Sequence, residues 1–237
     1  MKNSYRSLGI TLISAVLAFI ATLLRCIASV TSMDYSTGFY GGSVLINIAN
    51  ITMTASFLIL IASLFLKVED INLNEDAHRP LWYIPSAIMA VSILLLTFDI
   101  FDYVASRANG GSVALSSDRS AIAALITGVL AICAVAFFVV SCLSTNIKSS
   151  LRGYLGMGAA LFFGMYASLL FCRVGGAIHQ PQKIATEMAA ITASIFLLEE
   201  TRVALGKERW KGYFALGAAT VLISAYAVIP VFTTYII

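Results

Sequence analysis

Residues Ala121 to Leu143 read AIAALITGVLAICAVAFFVVSCL, an apolar run without one Asp, Glu, Lys or Arg. A helix needs about 20 apolar residues to cross roughly 30 Å of hydrocarbon, and helix is favoured there because it satisfies its own backbone hydrogen bonds. This run is long enough. On either side of it stand further stretches of the same kind: Leu8–Val30, Ser43–Leu66, Leu81–Ala105, Gly153–Gly176, Ile184–Leu205 and Gly212–Ile236. The predicted fold is an all-α membrane protein, a seven-transmembrane-helix bundle. Its connectors are too short to fold separately, so residues 1–237 are read as a single transmembrane domain.

The whole composition agrees. Of 237 residues, 59% are hydrophobic and 11% charged, with a mean hydropathy of +0.91. Soluble domains are nearer a quarter charged, and this chain has too little polar surface to coat a water-soluble globule. Its wealth of Leu, Ile, Val and Phe excludes disorder, and four scattered cysteines exclude a disulfide scaffold. The lipid bilayer is its expected surrounding, and nothing points to a nucleic-acid partner.

The first span follows Lys2 and Arg6, as a secretory signal would. Its apolar run is about twice a signal core, however, and no small-x-small site follows before Asp34, so it is expected to be retained. Leu23-Leu24-Arg25-Cys26 is no lipoprotein box, because the residue before the cysteine should be small.

Orientation follows from the basic residues at alternate ends. One side gathers Lys2, Arg6, Lys67, Arg79, Lys148, Arg152, Arg202, Lys207, Arg209 and Lys211; the other has Arg107, Arg119, Lys183, Arg25 and Arg173. That places the N-terminus in the cytoplasm and the C-terminus outside. Trp82, Tyr83, Trp210 and Tyr213 are placed as interfacial anchors, and Pro80 and Pro85 mark the start of the third helix. The orientation is opposite to that of G-protein-coupled receptors and microbial rhodopsins. The seventh helix also lacks a lysine for a retinal Schiff base.

Two segments match. Ala18-Phe-Ile-Ala-Thr-Leu-Leu-Arg-Cys26 ends the first helix and Gly164-Met-Tyr-Ala-Ser-Leu-Leu-Phe-Cys172 ends the fifth; Thr54-Ala-Ser56 and Thr192-Ala-Ser194 pair the second with the sixth. This is a possible 3+1+3 parallel repeat, three helices, a linker and three more. In helix count and layout it resembles the small sugar transporters of the SWEET and PQ-loop type. Pro181-Gln182 falls just before helix six rather than where a PQ-loop motif would stand, and the orientation is reversed, so the chain is not assigned to that family.

Ionisable side chains inside a membrane segment are costly and mark functional sites by default. Here they share one depth: Arg25 near the end of helix one, Asp99 and Asp102 in the last turns of helix three, Arg173 ending helix five and Glu187 starting helix six, with Asn47 and Asn50 in helix two. Asp99 and Asp102 share a helix face at a C-terminus, where the helix dipole disfavours anions, so they call for a cation such as Arg25 or Arg173. The expected site is an outward-facing polar and charged pocket lined by Arg25, Asn50, Asp99, Asp102, Arg173 and Glu187. Snorkelling of the arginines, a surface pair of Glu187 with Lys183, or a salt-bridge layer joining helices would look the same.

Other signals are plainer. Glu199 and Arg202 read as a surface pair. The segment from Lys67 to Pro80 lacks the glycine and final glutamate of a calcium loop. His78 and His179 are lone, and Cys26, Cys133, Cys142 and Cys172 lack metal spacing, so no metal or other cofactor is expected. Gly156, Ala160, Gly164 and Ser168 place a small residue at every fourth position of helix five, a helix-packing face that could also meet a partner membrane subunit or a second copy. Residues Asp34 to Tyr40 form a turn that could act as a lid.

Three functions fit. The first is binding or transport of a small polar or zwitterionic solute, in a bacterial cytoplasmic membrane as the short loops suggest. The second is a non-catalytic membrane subunit or scaffold. The third is an intramembrane enzyme using the paired aspartates, which lack a histidine or cysteine in reach, so the balance leans away from an enzyme.

Overall fold

The computed structural model describes residues 2–34, 39–64, 75–110, 119–143, 149–172, 180–205 and 210–236. They form seven helices and one short hairpin: α1 (Lys2–Ser32), β1 (Met33–Asp34), β2 (Phe39–Tyr40), α2 (Val44–Leu64), α3 (Glu75–Gly110), α4 (Arg119–Leu143), α5 (Ser149–Cys172), α6 (Pro181–Ala204) and α7 (Trp210–Ile236). Each of the seven expected spans falls on a helix. Six of them, α1 to α5 and α7, contain stretches long and apolar enough to cross a membrane. The chain is an integral membrane protein.

α1 and α3 each begin six residues before the expected start, and α6 differs in hydropathy. α3 begins at Glu75, before Leu81, and runs on past Pro80 and Pro85. α6 is the span that falls short in hydropathy. Its 24 residues reach about 36 Å, enough to cross, but Lys183 and Glu187 at one end and Glu199, Glu200 and Arg202 at the other dilute its apolar middle.

The helices pack as two compact units, each drawn from separated stretches: residues 1–70, 175–192 and 210–237, and residues 71–174 and 193–209. α6 is divided between them at Thr192 and Ala193. These units are not the α1–α3 and α5–α7 triplets of the sequence match.

In the first unit α1 packs against α2 and α7. Ala18, Ala21, Ala49 and Ala227 line the seam with Met53, Ala185, Ile223 and Tyr226. Small residues let helix backbones approach closely, which is the main source of attraction where lipid is as apolar as the core. A reciprocal serine clamp joins α1 to α2. Ser14 Oγ lies 3.0 Å from the Ser56 carbonyl, Ser56 Oγ lies 2.8 Å from the Ser14 carbonyl, and the two hydroxyls are 2.9 Å apart. Beyond α1 the strands pair antiparallel, Met33 with Tyr40 and Asp34 with Phe39. Gly41 N donates to Ser32 O, and Gly42, at φ 61°, turns the chain into α2.

In the second unit α4 packs against α3 and α5, around Ile93, Ala131, Ala134, Phe137, Ala159 and Phe162. The small-residue face of α5 is used inside this unit. A Cβ on Gly156 would lie 2.6 Å from Thr201 Oγ1 and 3.2 Å from the Phe137 ring; Ala160 is buried, and its carbonyl accepts from Ser194 Oγ at 2.7 Å. Gly164 also faces Ser194, and Ser168 is exposed.

Candidate functional site

The most unusual residue in the first unit is Arg25. It sits on α1 inside an apolar stretch and is 1% exposed. An arginine is always protonated, so burial cannot be relieved by losing the proton. It has to be solvated by protein. Nη2 donates to the carbonyl of Pro181 at 3.1 Å and to Oε1 of Gln182 at 3.0 Å, both at the start of α6. The Tyr226 ring of α7 lies under the guanidinium, 4.5 Å from Cζ to the ring centroid, a cation–π arrangement.

Each of these partners is itself held. Gln182 Nε2 donates to Ala227 O at 2.6 Å. Tyr226 donates its hydroxyl to Asn50 Oδ1 on α2 at 2.5 Å, which answers the polar tip of a tyrosine buried mid-span. Pro230, inside α7, removes the N–H that the Tyr226 carbonyl would otherwise meet one turn on. Ser29, one turn beyond Arg25, donates to the Arg25 carbonyl or exchanges a hydrogen bond with Tyr40 of the hairpin at 2.8 Å. The result is a guanidinium held by neutral groups from α6 and α7, with Asn50 of α2 holding the ring in turn.

What is missing is negative charge. Among the described residues of its unit Arg25 makes no ion pair; its hydrogen-bond acceptors are a carbonyl and an amide. Its Nε is buried and meets no acceptor. A buried cation without an anion is costly, and the arrangement can therefore hold an anionic group.

The other expected site residues fall out as follows. Asn50 is brought to Arg25 through Tyr226. Glu187 lies in the same unit, half-buried, with Oε1 buried and unpaired among the described residues. It is on another face of α6 from Gln182, Ala185 and Ala189, which share the face at i, i+3 and i+7. Asp99 and Asp102 belong to the second unit. Both are exposed, on the side of α3 away from Ile100 and Val104, and neither is in an ion pair among the described residues. Arg173 and His179 lie outside the described residues. Among those residues no three His, Cys, Asp or Glu come together in a way that could hold a metal, and the four cysteines are free thiols.

Gln182 and Tyr226 are the members that sequence reading passed over. The signals were present: a glutamine in the first turn of a membrane helix, and a tyrosine well inside an apolar span four residues before a proline.

The second unit holds ion pairs at the other end of α6. Arg152 of α5 meets Glu200 at 2.7 Å, with Glu200 nearly buried, and Arg202 meets Glu199 at 2.8 Å, the expected i,i+3 pair.

No family model matches this chain, and comparison with curated proteins and with solved structures gives no match either.

Proposed function

We propose that this integral membrane protein binds and moves a small polar solute bearing an anionic group, with Arg25 as its anchor. One observation carries the reading: a cation buried in a membrane helix and surrounded by neutral partners, with a donor to spare. Such a residue is expensive to keep without a purpose. The organisation around it supports the same reading, because Gln182, Tyr226 and Asn50 each hold a neighbour in place, as preorganised binding sites require. Asp99, Asp102, Arg173 and Glu187 enter this proposal through their shared depth in the sequence; the last turns of α1, facing the outside of a bacterial cytoplasmic membrane, provide the route of access. Arg25→Met is expected to abolish binding or uptake of an anionic solute while the protein still reaches the membrane. Undiminished uptake would remove the proposal.

One observation favours the role of membrane subunit. Asp99 and Asp102 stand among exposed Leu95, Phe98 and Phe101 on an apolar face of α3. Two carboxylates on such a face suit a basic residue from another helix in the membrane. Under this reading a second polypeptide co-purifies in fixed ratio, and Asp99→Asn with Asp102→Asn releases it.

A further inference from the structure

We infer that the anionic group recognised at Arg25 is a carboxylate, and that the side-chain amide of Gln182 holds the place of one of its oxygens. This rests on the reading of Arg25 as the solute anchor and adds the chemical class of the solute.

The guanidinium presents Nε–H and one Nη2–H along the same edge, parallel and spaced to meet two oxygens of one carboxylate. Both hydrogens on Nη2 are engaged, by Pro181 O and Gln182 Oε1, while Nε beside them is buried with no acceptor. An amide has a single oxygen, so Gln182 satisfies one donor and leaves its neighbour orphaned. A carboxylate brings two oxygens and the missing charge. Of the two acceptors now on Nη2, the Pro181 carbonyl is backbone in the first turn of α6 and stays, whereas Gln182 is a half-buried side chain that a carboxylate would displace at the cost of its bonds to Arg25 and to Ala227 O. The Tyr226 ring, tied to Asn50, covers one face of the guanidinium, and an acceptor for Nε–H has to approach in its plane. The groups around Arg25 that touch it are neutral, so a single negative charge balances the site, which favours a monocarboxylate over a phosphate dianion.

The test uses the full chain purified in detergent, with three probes: lactate, lactamide of the same shape without the charge, and inorganic phosphate. Thermal stabilisation and calorimetric titration give the affinities. The expected result is that lactate binds, with lactamide and phosphate at least about tenfold weaker. Gln182→Ala, which frees Nη2, should tighten lactate binding severalfold. Gln182→Glu, which supplies a built-in carboxylate, should raise the thermal midpoint and weaken lactate by about tenfold or more.

Absence of lactate binding, equal binding of lactamide, stronger binding of phosphate, or unchanged lactate affinity in Gln182→Ala would each overturn the carboxylate assignment. Where Gln182→Glu does not fold, Gln182→Ala still decides. The anchor itself is judged separately: Arg25→Met should lose the response to every anion, and an Arg25→Met protein that binds anions as the parent does would overturn Proposed function along with this inference. Phosphate binding lost in Arg25→Met would leave the anchor standing and the carboxylate assignment refuted.

Discussion

Arg25 makes two hydrogen bonds and stacks on a ring, yet it remains a lone positive charge away from water. Stability and function therefore pull apart at this residue. Methionine has a similar reach and no charge, and replacing buried ionic groups by apolar ones of like volume is often neutral or stabilising. Arg25→Met is expected to unfold within about 1 kcal/mol of the parent, or later, in detergent, despite losing anion binding. Both variants leave the Pro181 and Gln182 oxygens without that donor, but Arg25→Ala should fall well below the other two, because it also leaves a cavity beside Tyr226. Thermal unfolding followed by circular dichroism ranks the three; a large loss in Arg25→Met would mean the arginine is kept for structure.

At the scale of elements, the two units are held by different devices. In the first, Ser14 and Ser56 each serve the other's backbone across α1 and α2, both fully buried. Interhelical hydrogen bonds of this kind contribute about 0.6–2 kcal/mol in membranes. Ser14→Ala and Ser56→Ala should each cost about that much, and the double variant less than their sum, since the pair acts together. Strict additivity in a double-mutant cycle would contradict the clamp. In the second unit the device is close approach. A methyl on Gly156 would press on Thr201 Oγ1 at 2.6 Å and on Phe137, whereas one on Gly153 would meet the far end of Leu205 at 2.7 Å, which can turn away. Gly156→Ala should destabilise by about 1–3 kcal/mol and Gly153→Ala by less, with Thr201→Ala relieving part of the first. Equal losses at the two glycines, read by thermal unfolding, would show that the seam yields.

At the scale of the whole molecule, α6 decides the topology. Among the described residues six helices meet the requirement for spanning by length and hydropathy, and an even number would leave both termini on one side. α6 is long enough to be the seventh, and its charges sit at its two ends, where the interfaces would lie. We expect it to span, with the N-terminus in the cytoplasm and the C-terminus outside, as the basic residues indicate. Reporter fusions at each end, active on opposite sides of the membrane, would meet that expectation. Termini on the same side would make α6 a helix that does not cross.

Seven helices and their approximate bounds were legible in the amino-acid order, because bilayer thickness sets a minimum apolar length that runs such as Ala121–Leu143 satisfy by themselves. Arg25 was legible for the same reason, as a charge inside such a run. Its partners were not. Gln182 lies 157 positions away and Tyr226 further still, and no pattern along α1, α6 or α7 marks which side faces which. In water an apolar stripe tells a helix where to pack; in lipid the surroundings are as apolar as the core, so the stripe is absent. The helices and their buried charge belong to the sequence. The rotation of α1, α6 and α7 about their axes, which gives Arg25 an amide, a carbonyl and a ring, was decided by close packing of small residues and by the few hydrogen bonds that tertiary structure alone brings together.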